Sequence, residues 1–226
     1  MQNIRIVKDC EIENTYRVSR IMADFDVSPD HLRNEIVCTI APPETWSIGL
    51  ICGASGTGKT TIAKEVFPDW INENEIFTHK SVIDDMPEDI SMSEIEKMFY
   101  AVGFGSVPSW LKPYSVLSNG EQMRVKLAKA LLGDDKVLFD EFTSVVDRNV
   151  AKTLSMALKK CLTHYPQKQF IAVSCHKDII EWLQPDWILD TDTMQTSFHV
   201  AQGPKESLTF ENVGEGLGRS LGNIII

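Results

Sequence analysis

Eight consecutive residues, Gly53-Ala54-Ser55-Gly56-Thr57-Gly58-Lys59-Thr60, set glycines, a lysine and a hydroxyl directly after an apolar run at residues 46–52. Glycines let successive backbone N–H groups close around phosphate oxygens. The Lys59 ammonium then reaches the β- and γ-phosphates, and the Thr60 hydroxyl is an oxygen ligand suited to Mg²⁺. A helix starting near Thr60 adds the positive end of its dipole. The expected nucleotide contacts are Gly53, Ser55, Gly56, Thr57, Gly58, Lys59, Thr60 and Thr61.

Further along the chain, Asp140-Glu141 closes the apolar run 137–139. Unpaired charge beside a core is costly, so two carboxylates ending a buried strand ask for a function. Asp140 is expected to hold Mg²⁺, directly or through water, and Glu141 to orient and partly deprotonate an attacking water. Ahead of them lies Leu117-Ser118-Asn119-Gly120-Glu121-Gln122, at the head of an amphipathic segment. There Ser118 and the backbone N–H groups of Asn119 and Gly120 form a second helix N-terminus able to grip a γ-phosphate. Thr143-Ser144-Val145-Val146-Asp147 follows the acid pair, and Ser174-Cys175-His176 follows an apolar run beginning at Phe170. A neutral imidazole at His176 could hydrogen-bond the γ-phosphate or the water.

The motifs between Gly53 and His176, in this order, resemble the ATP-binding cassette (ABC) ATPases. Ser118-Asn119-Gly120 looks like the family signature, Asp140-Glu141 like its Walker B acids, Asp147 like the end of its D-loop and His176 like its switch histidine. The resemblance implies ATP and Mg²⁺ as cofactors, with Glu141 and His176 as catalytic residues and Thr60 and Asp140 on the metal. It also implies a homodimer that closes around ATP, each copy offering its signature to the other's phosphate loop. Tyr16, the aromatic of the first β-prone region, is expected either to stack on adenine or to pack in the core.

Some residues depart from the family pattern. Val145-Val146 stands where Ala-Leu is usual, the interval from Lys59 to Ser118 is short, and no glutamine-bearing loop is evident in it; Asp84 or Asp85 sits about where that loop belongs. Glu121 is similar to the signatures of DNA-repair and chromosome-organising members. The whole pattern looks like stand-alone ABC ATPases of phages and bacteria that lack a transmembrane domain. The expected function is therefore ATP hydrolysis that drives or gates an unidentified protein partner, with nucleic acid reached through that partner. The alternative is the nucleotide-binding subunit of a membrane transporter, and a third reading is a regulatory clamp that binds ATP and scarcely hydrolyses it.

These residues need elements to hold them. Runs at 4–7, 16–22 and 35–40 are β-prone and predict an antiparallel flank. Strands are expected at 46–52, 80–83, 137–139 and 170–174. Helices are expected at 61–67, from the Ser91 capping box to 102, at 120–132 and at 149–162. Residues 103–113 read as loop. Strands alternating with helices argue for an α/β fold with a parallel core sheet. One domain across residues 1–226 is expected, with 85–135 as a shortened helical lobe carrying the signature. Trp182 and Trp187 are expected to pack a helix-to-strand corner, Arg124, Lys126 and Lys129 to face water or else a partner, and 214–226 to be a frayed or docking tail.

With 226 residues and 43% hydrophobic content, the chain can bury a core. Its net charge of −10 argues against unaided binding to nucleic acid or an anionic membrane. Five cysteines without a C-x-x-C pair read as reduced thiols in a cytoplasmic protein. No apolar run is long enough to span a membrane, so direct insertion is not expected.

Overall fold

Strand β3, Ile48–Cys52, is buried along its whole length, and successive side chains enter two different cores. The period-2 alternation of a strand explains this: Ile48, Leu50 and Cys52 point to one face and Ile51 to the other. The computed structural model describes residues 2–8, 11–28, 34–70 and 76–198. Strands β4 (Lys136–Phe139), β5 (Gln169–Ser174) and β6 (Trp187–Asp190) flank β3 in parallel, and β7 (Gln195–Phe198) adds an antiparallel edge. The sheet order is β4-β5-β3-β6-β7. A separate antiparallel pair joins β1 (Gln2–Lys8) to β2 (Asn34–Ile40), with Gln2 opposite Ile40. The Thr196 hydroxyl donates to the Thr39 carbonyl at 2.7 Å, linking that pair to β7.

Helices cover both faces, as a sheet apolar on both sides requires. On one face α3 (Met92–Ala101), α5 (Asn119–Gly133), α6 (Arg148–Thr163) and α7 (Ile179–Leu183) supply Phe99, Leu127, Leu154 and Leu183 to a core with Phe139 and Phe170. On the other, α2 (Lys59–Val66) and the β1–β2 pair pack Ile62, Ile4 and Ile40 against Ile171, Val173 and Trp187. Trp187 is fully buried, with Trp46 edge-on at 5.4 Å and Phe67 stacked at 6.1 Å. Trp182 lies on α7 and packs against the other core, under the Arg148 guanidinium, so the two tryptophans flank the α7-to-β6 connection but do not pack one corner together.

Three expected elements differ. Residues 16–22 are helix rather than strand: α1 runs Tyr16–Phe25, capped by Thr15, whose hydroxyl accepts the Val18 N–H. Val18, Ile21, Met22 and Phe25 recur at helical spacing, and that period outweighs β-propensity. Residues 80–83 form turns rather than a strand, because the Asp84, Asp85 and Met86 amides bond back to Ser81, Val82 and Ile83. Buried Val82 is held there by its N–H, which donates a hydrogen bond to the Lys112 carbonyl at 2.9 Å. The 103–113 loop contains a one-turn helix, α4 (Val107–Trp110), with Pro108 in its first turn, where proline's fixed φ is pre-set for helix.

Two basic side chains of α5 also turn inward rather than to water. Arg124 donates to the Gly120 carbonyl at 3.1 Å and reaches Thr153 of α6, while Lys129 donates to the Ile76 carbonyl and lies over the Phe77 ring. Among the described residues, no helix is long and apolar enough to cross a membrane. The tail at 214–226, like Cys10, His31 and His199, lies outside the described residues.

Candidate functional site

The phosphate loop occupies the turn from β3 into α2. Gly53, Gly56 and Gly58 take φ of 154°, 83° and 89°, values that side-chain-bearing residues adopt at a cost. Gly53 is also required by space, since a Cβ there would stand 2.2 Å from Thr191 Oγ1 and 3.2 Å from the Asp192 backbone N; a Cβ on Gly58 would stand 2.4 Å from Ile36 Cδ1, the movable end of that side chain. Lys59 is buried at the start of α2, and its Nζ donates to the Ala54 carbonyl at 2.7 Å. Thr57 Oγ1 donates to the same carbonyl at 2.9 Å. Ser55 and Gly56 are exposed at the tip, while Thr60 and Thr61 are half-buried in the first turn of α2.

Because β3, β4, β5 and β6 run parallel, their carboxyl ends share one edge. That edge carries the loop after β3, Asp140-Glu141 after β4, Ser174-Cys175-His176 after β5 and Thr191-Asp192 after β6. In parallel α/β sheets this is the edge where ligands bind. Glu141 sits in the left-handed region at φ 54°, exposed, and its N–H donates to Asp140 Oδ1 at 2.9 Å. The turn is anchored from behind by Phe142, fully buried, whose N–H donates to the Val173 carbonyl at 2.8 Å. His176 is half-buried and its N–H bonds to Ser174 Oγ at 3.2 Å.

Ser118 is exposed and forms the N-cap of α5 through a complete capping box. Glu121 makes this cap rigid. One carboxylate oxygen accepts the Ser118 N–H and hydroxyl at 3.0 and 2.8 Å, and the other accepts the buried Ser109 hydroxyl at 2.7 Å. The Ser109 bond first, and the Ser118 N–H next, hold the Glu121 carboxyl below its ordinary range. Asn119 is exposed in the first turn; Gly120 is half-buried, and a Cβ there would meet Arg124 at 3.1 Å and Val150 of α6 at 3.2 Å. Asp147 caps α6, accepting the Asn149 and Val150 N–H groups at 2.9 and 3.0 Å. A cleft of about 330 Å³ between α5 and the end of β4 brings Asn119, Gln122 and Lys126 to the same wall as Asp140 and Glu141.

Tyr16 is placed differently from the sequence expectation. It opens α1, off any strand, with 77% of its surface exposed. The two carboxylates near the expected glutamine loop serve their own turn. Asp85 is buried and accepts the Thr78 and His79 N–H groups and His79 Nδ1, while Asp84 accepts the Ser81 hydroxyl. Burial pushes the Asp85 carboxyl up, but these hydrogen bonds outweigh it and hold the group low.

For the metal, the residues fit Mg²⁺. Asp140 spends one oxygen on the Glu141 N–H and keeps the other, and Thr60 offers a hydroxyl. Among the described residues no cluster of three or more His, Cys, Asp or Glu could hold a metal by itself. Few protein oxygens, completed by phosphate and water, is how Mg²⁺ is held.

Sequence reasoning missed Thr191, Asp192 and Lys177. Asp192 Oδ1 accepts the Ala54 N–H at 2.8 Å, and the Thr191 and Thr57 hydroxyls lie 2.6 Å apart. Lys177 bridges Asp190 and Asp192 at 2.7 and 2.8 Å. That lysine and the Ala54 amide hold the Asp192 carboxyl below its ordinary range. The signal available was an acidic turn closing a fourth apolar strand. Cys52, sealed beneath the loop, has its thiol pushed up to about 11, by burial first and then by Asp190.

No family model and no curated protein sequence matches the chain. Solved structures do. The dimeric form of MJ0796, a bacterial ABC transporter cassette, superposes with a TM-score of 0.53 at 14% identity, covering 70% of this chain and 87% of that one. A bacterial Atm1-family ABC exporter with ATP bound gives 0.54 at 17% identity, over 78% of this chain and 37% of that one. A post-hydrolysis state of MJ0796 bound to ADP and Pi gives 0.50 at 16% identity, over 70% and 87%. The parallel sheet, the loop at its carboxyl edge and these neighbours agree: the chain has the fold of an ABC-type ATP-binding cassette.

Proposed function

We propose that this protein is an ABC-type ATPase that binds Mg²⁺-ATP, dimerises around it and hydrolyses it. One observation carries the reading. Gly53 to Thr60, the Asp140-Glu141 pair and His176 all emerge from neighbouring parallel strands at one edge, where a triphosphate can meet a cation, a carboxylate base and an imidazole together. Thr60 and Asp140 would hold Mg²⁺, which would supply charge neutralisation to the phosphates. Lys59 leaves the Ala54 carbonyl for the β- and γ-phosphates. Glu141 takes a proton from water as the water oxygen bonds the γ-phosphorus and the bridging P–O bond breaks, releasing ADP and phosphate. His176 holds the γ-phosphate or that water.

The Ser118-Asn119-Gly120 turn, with Ser118 and Asn119 exposed, is set up to complete the pocket of a second copy. In the 85–135 segment, taken as the helical lobe, Glu121 fixes that turn before the copies meet, so little ordering cost falls on closure. Tyr16, with its ring open to solvent, is the candidate for adenine stacking.

The test pairs two substitutions. Lys59→Ala is expected to abolish nucleotide binding. Glu141→Gln is expected to trap an ATP-bound dimer seen by light scattering, with turnover reduced by about a thousandfold on the scale of losing a general base. A Glu141→Gln protein that stays monomeric at saturating ATP would sink the dimer mechanism. In our reading the work of the cycle is delivered to a protein partner, with nucleic acid reached through it. ATPase rates that ignore DNA, RNA and every co-purifying protein would overturn that assignment, and recovery with an integral membrane subunit would replace it with transport.

A further inference from the structure

The β6–β7 turn does more than close a hairpin. It sits so tightly under the phosphate loop that Gly53 has no room for a side chain against Thr191. It also bonds that loop at three places: the Thr191 N–H donates to the Cys52 carbonyl at 2.7 Å, Asp192 accepts the Ala54 N–H, and the Thr191 hydroxyl meets that of Thr57. Asp192 divides its carboxylate. One oxygen faces the loop and the other faces Lys177, the residue that directly follows His176. Asp190 steadies the arrangement, accepting the Asp192 N–H at 2.9 Å and Lys177 Nζ at 2.7 Å.

The Ala54 peptide lies in the middle of this chain of contacts. Its N–H goes to Asp192 and its carbonyl to Lys59, the side chain that phosphate must draw away. Contacts therefore run without a gap from Lys59 through Ala54 and Asp192 to Lys177 and His176. A single exposed ion pair would add little stability. Here, however, one ammonium joins two carboxylates, and one of these is already engaged by the loop backbone.

We propose that Lys177 is a positioning residue. Through Asp192 it ties the His176 segment to the phosphate loop, so that the loop conformation set by nucleotide fixes where His176 stands. This rests on the ATPase reading above and adds to it a route by which occupancy of the loop reaches the switch histidine. Removing the tie should leave the phosphate cradle intact but let His176 drift, which costs rate rather than binding.

The experiment compares Lys177→Met, Lys177→Arg, Asp192→Asn and the Lys177→Met/Asp192→Asn pair. Affinity is read with a fluorescent ATP analogue and kcat from phosphate release. Asn keeps an oxygen for the Ala54 N–H but loses its charge toward Lys177, so Asp192→Asn should behave like Lys177→Met. Lys177→Met and Asp192→Asn are each expected to lose about tenfold in kcat with Kd within about threefold of the parent. The double variant should be no worse than either single, and Lys177→Arg should recover most of the rate. Losses that multiply to about a hundredfold, an unchanged kcat in Lys177→Met, or a loss of affinity matching the loss of rate would overturn the proposal. A parent protein that binds ATP but never turns over would overturn the ATPase reading itself, and this inference with it.

Discussion

Glu121 offers the sharpest quantitative test, because one carboxylate closes the Ser118 cap and anchors buried Ser109. Glu121→Ala removes the reciprocal half of the capping box, worth about 1 kcal/mol. It also removes a charge-assisted bond from the Ser109 hydroxyl, worth about 1.5 kcal/mol, although Ser106 Oγ at 3.1 Å remains as a partner. The total of roughly 2–3 kcal/mol corresponds to a fall in Tm of about 4–12 °C for a chain of this size. Glu121→Gln keeps one acceptor and should fall about halfway.

The pH dependence has a definite sign. Hydrogen bonds depress the carboxyl below its ordinary 4.5 in the folded protein, so its stabilisation is present above that value and is lost as pH falls through the folded one. Thermal melts followed by circular dichroism at pH 7 and pH 3 would read both effects. The gap between parent and Glu121→Gln should be widest at pH 7 and shrink toward pH 3. Coincident melts at pH 7, or a gap independent of pH, would refute the structural role assigned to this carboxylate.

Other outcomes follow from the geometry. Gly58→Ala places a methyl 2.4 Å from Ile36 Cδ1 at a φ of 89°, so it should cost about 1–3 kcal/mol and weaken ATP binding; a parent-like Kd would argue against the loop conformation. Cys175 is exposed while Cys38, Cys52 and Cys161 are buried, and burial pushes the Cys161 thiol, like that of Cys52, to about 11. Brief iodoacetamide treatment near neutral pH should therefore label Cys175 before Cys38, Cys52 and Cys161, as peptide mass spectrometry would show, and equal labelling of Cys52 would refute the packing under the loop.

Sequence alone determined the parts whose chemistry is local. Gly53 to Thr60, the Ser118 cap, the Asp140-Glu141 turn and the strands around them are written in contiguous residues, because loop conformation, capping and burial on both faces depend on near neighbours. Period was the weak point. Residues 16–22 satisfied β-propensity, but Val18, Ile21, Met22 and Phe25 repeat at helical spacing; buried Val82 looked like strand although it is held in a turn by the Lys112 carbonyl. Arg124 looked solvent-facing until α6 was placed beside it.

Only the tertiary structure decided the strand order β4-β5-β3-β6-β7, and with it which turns share an edge with the loop. Asp192 lies 138 residues from the Ala54 N–H it accepts, and nothing in either local sequence announces that bond. Such pairings arise from how whole layers pack, whereas the motif residues carry their geometry with them.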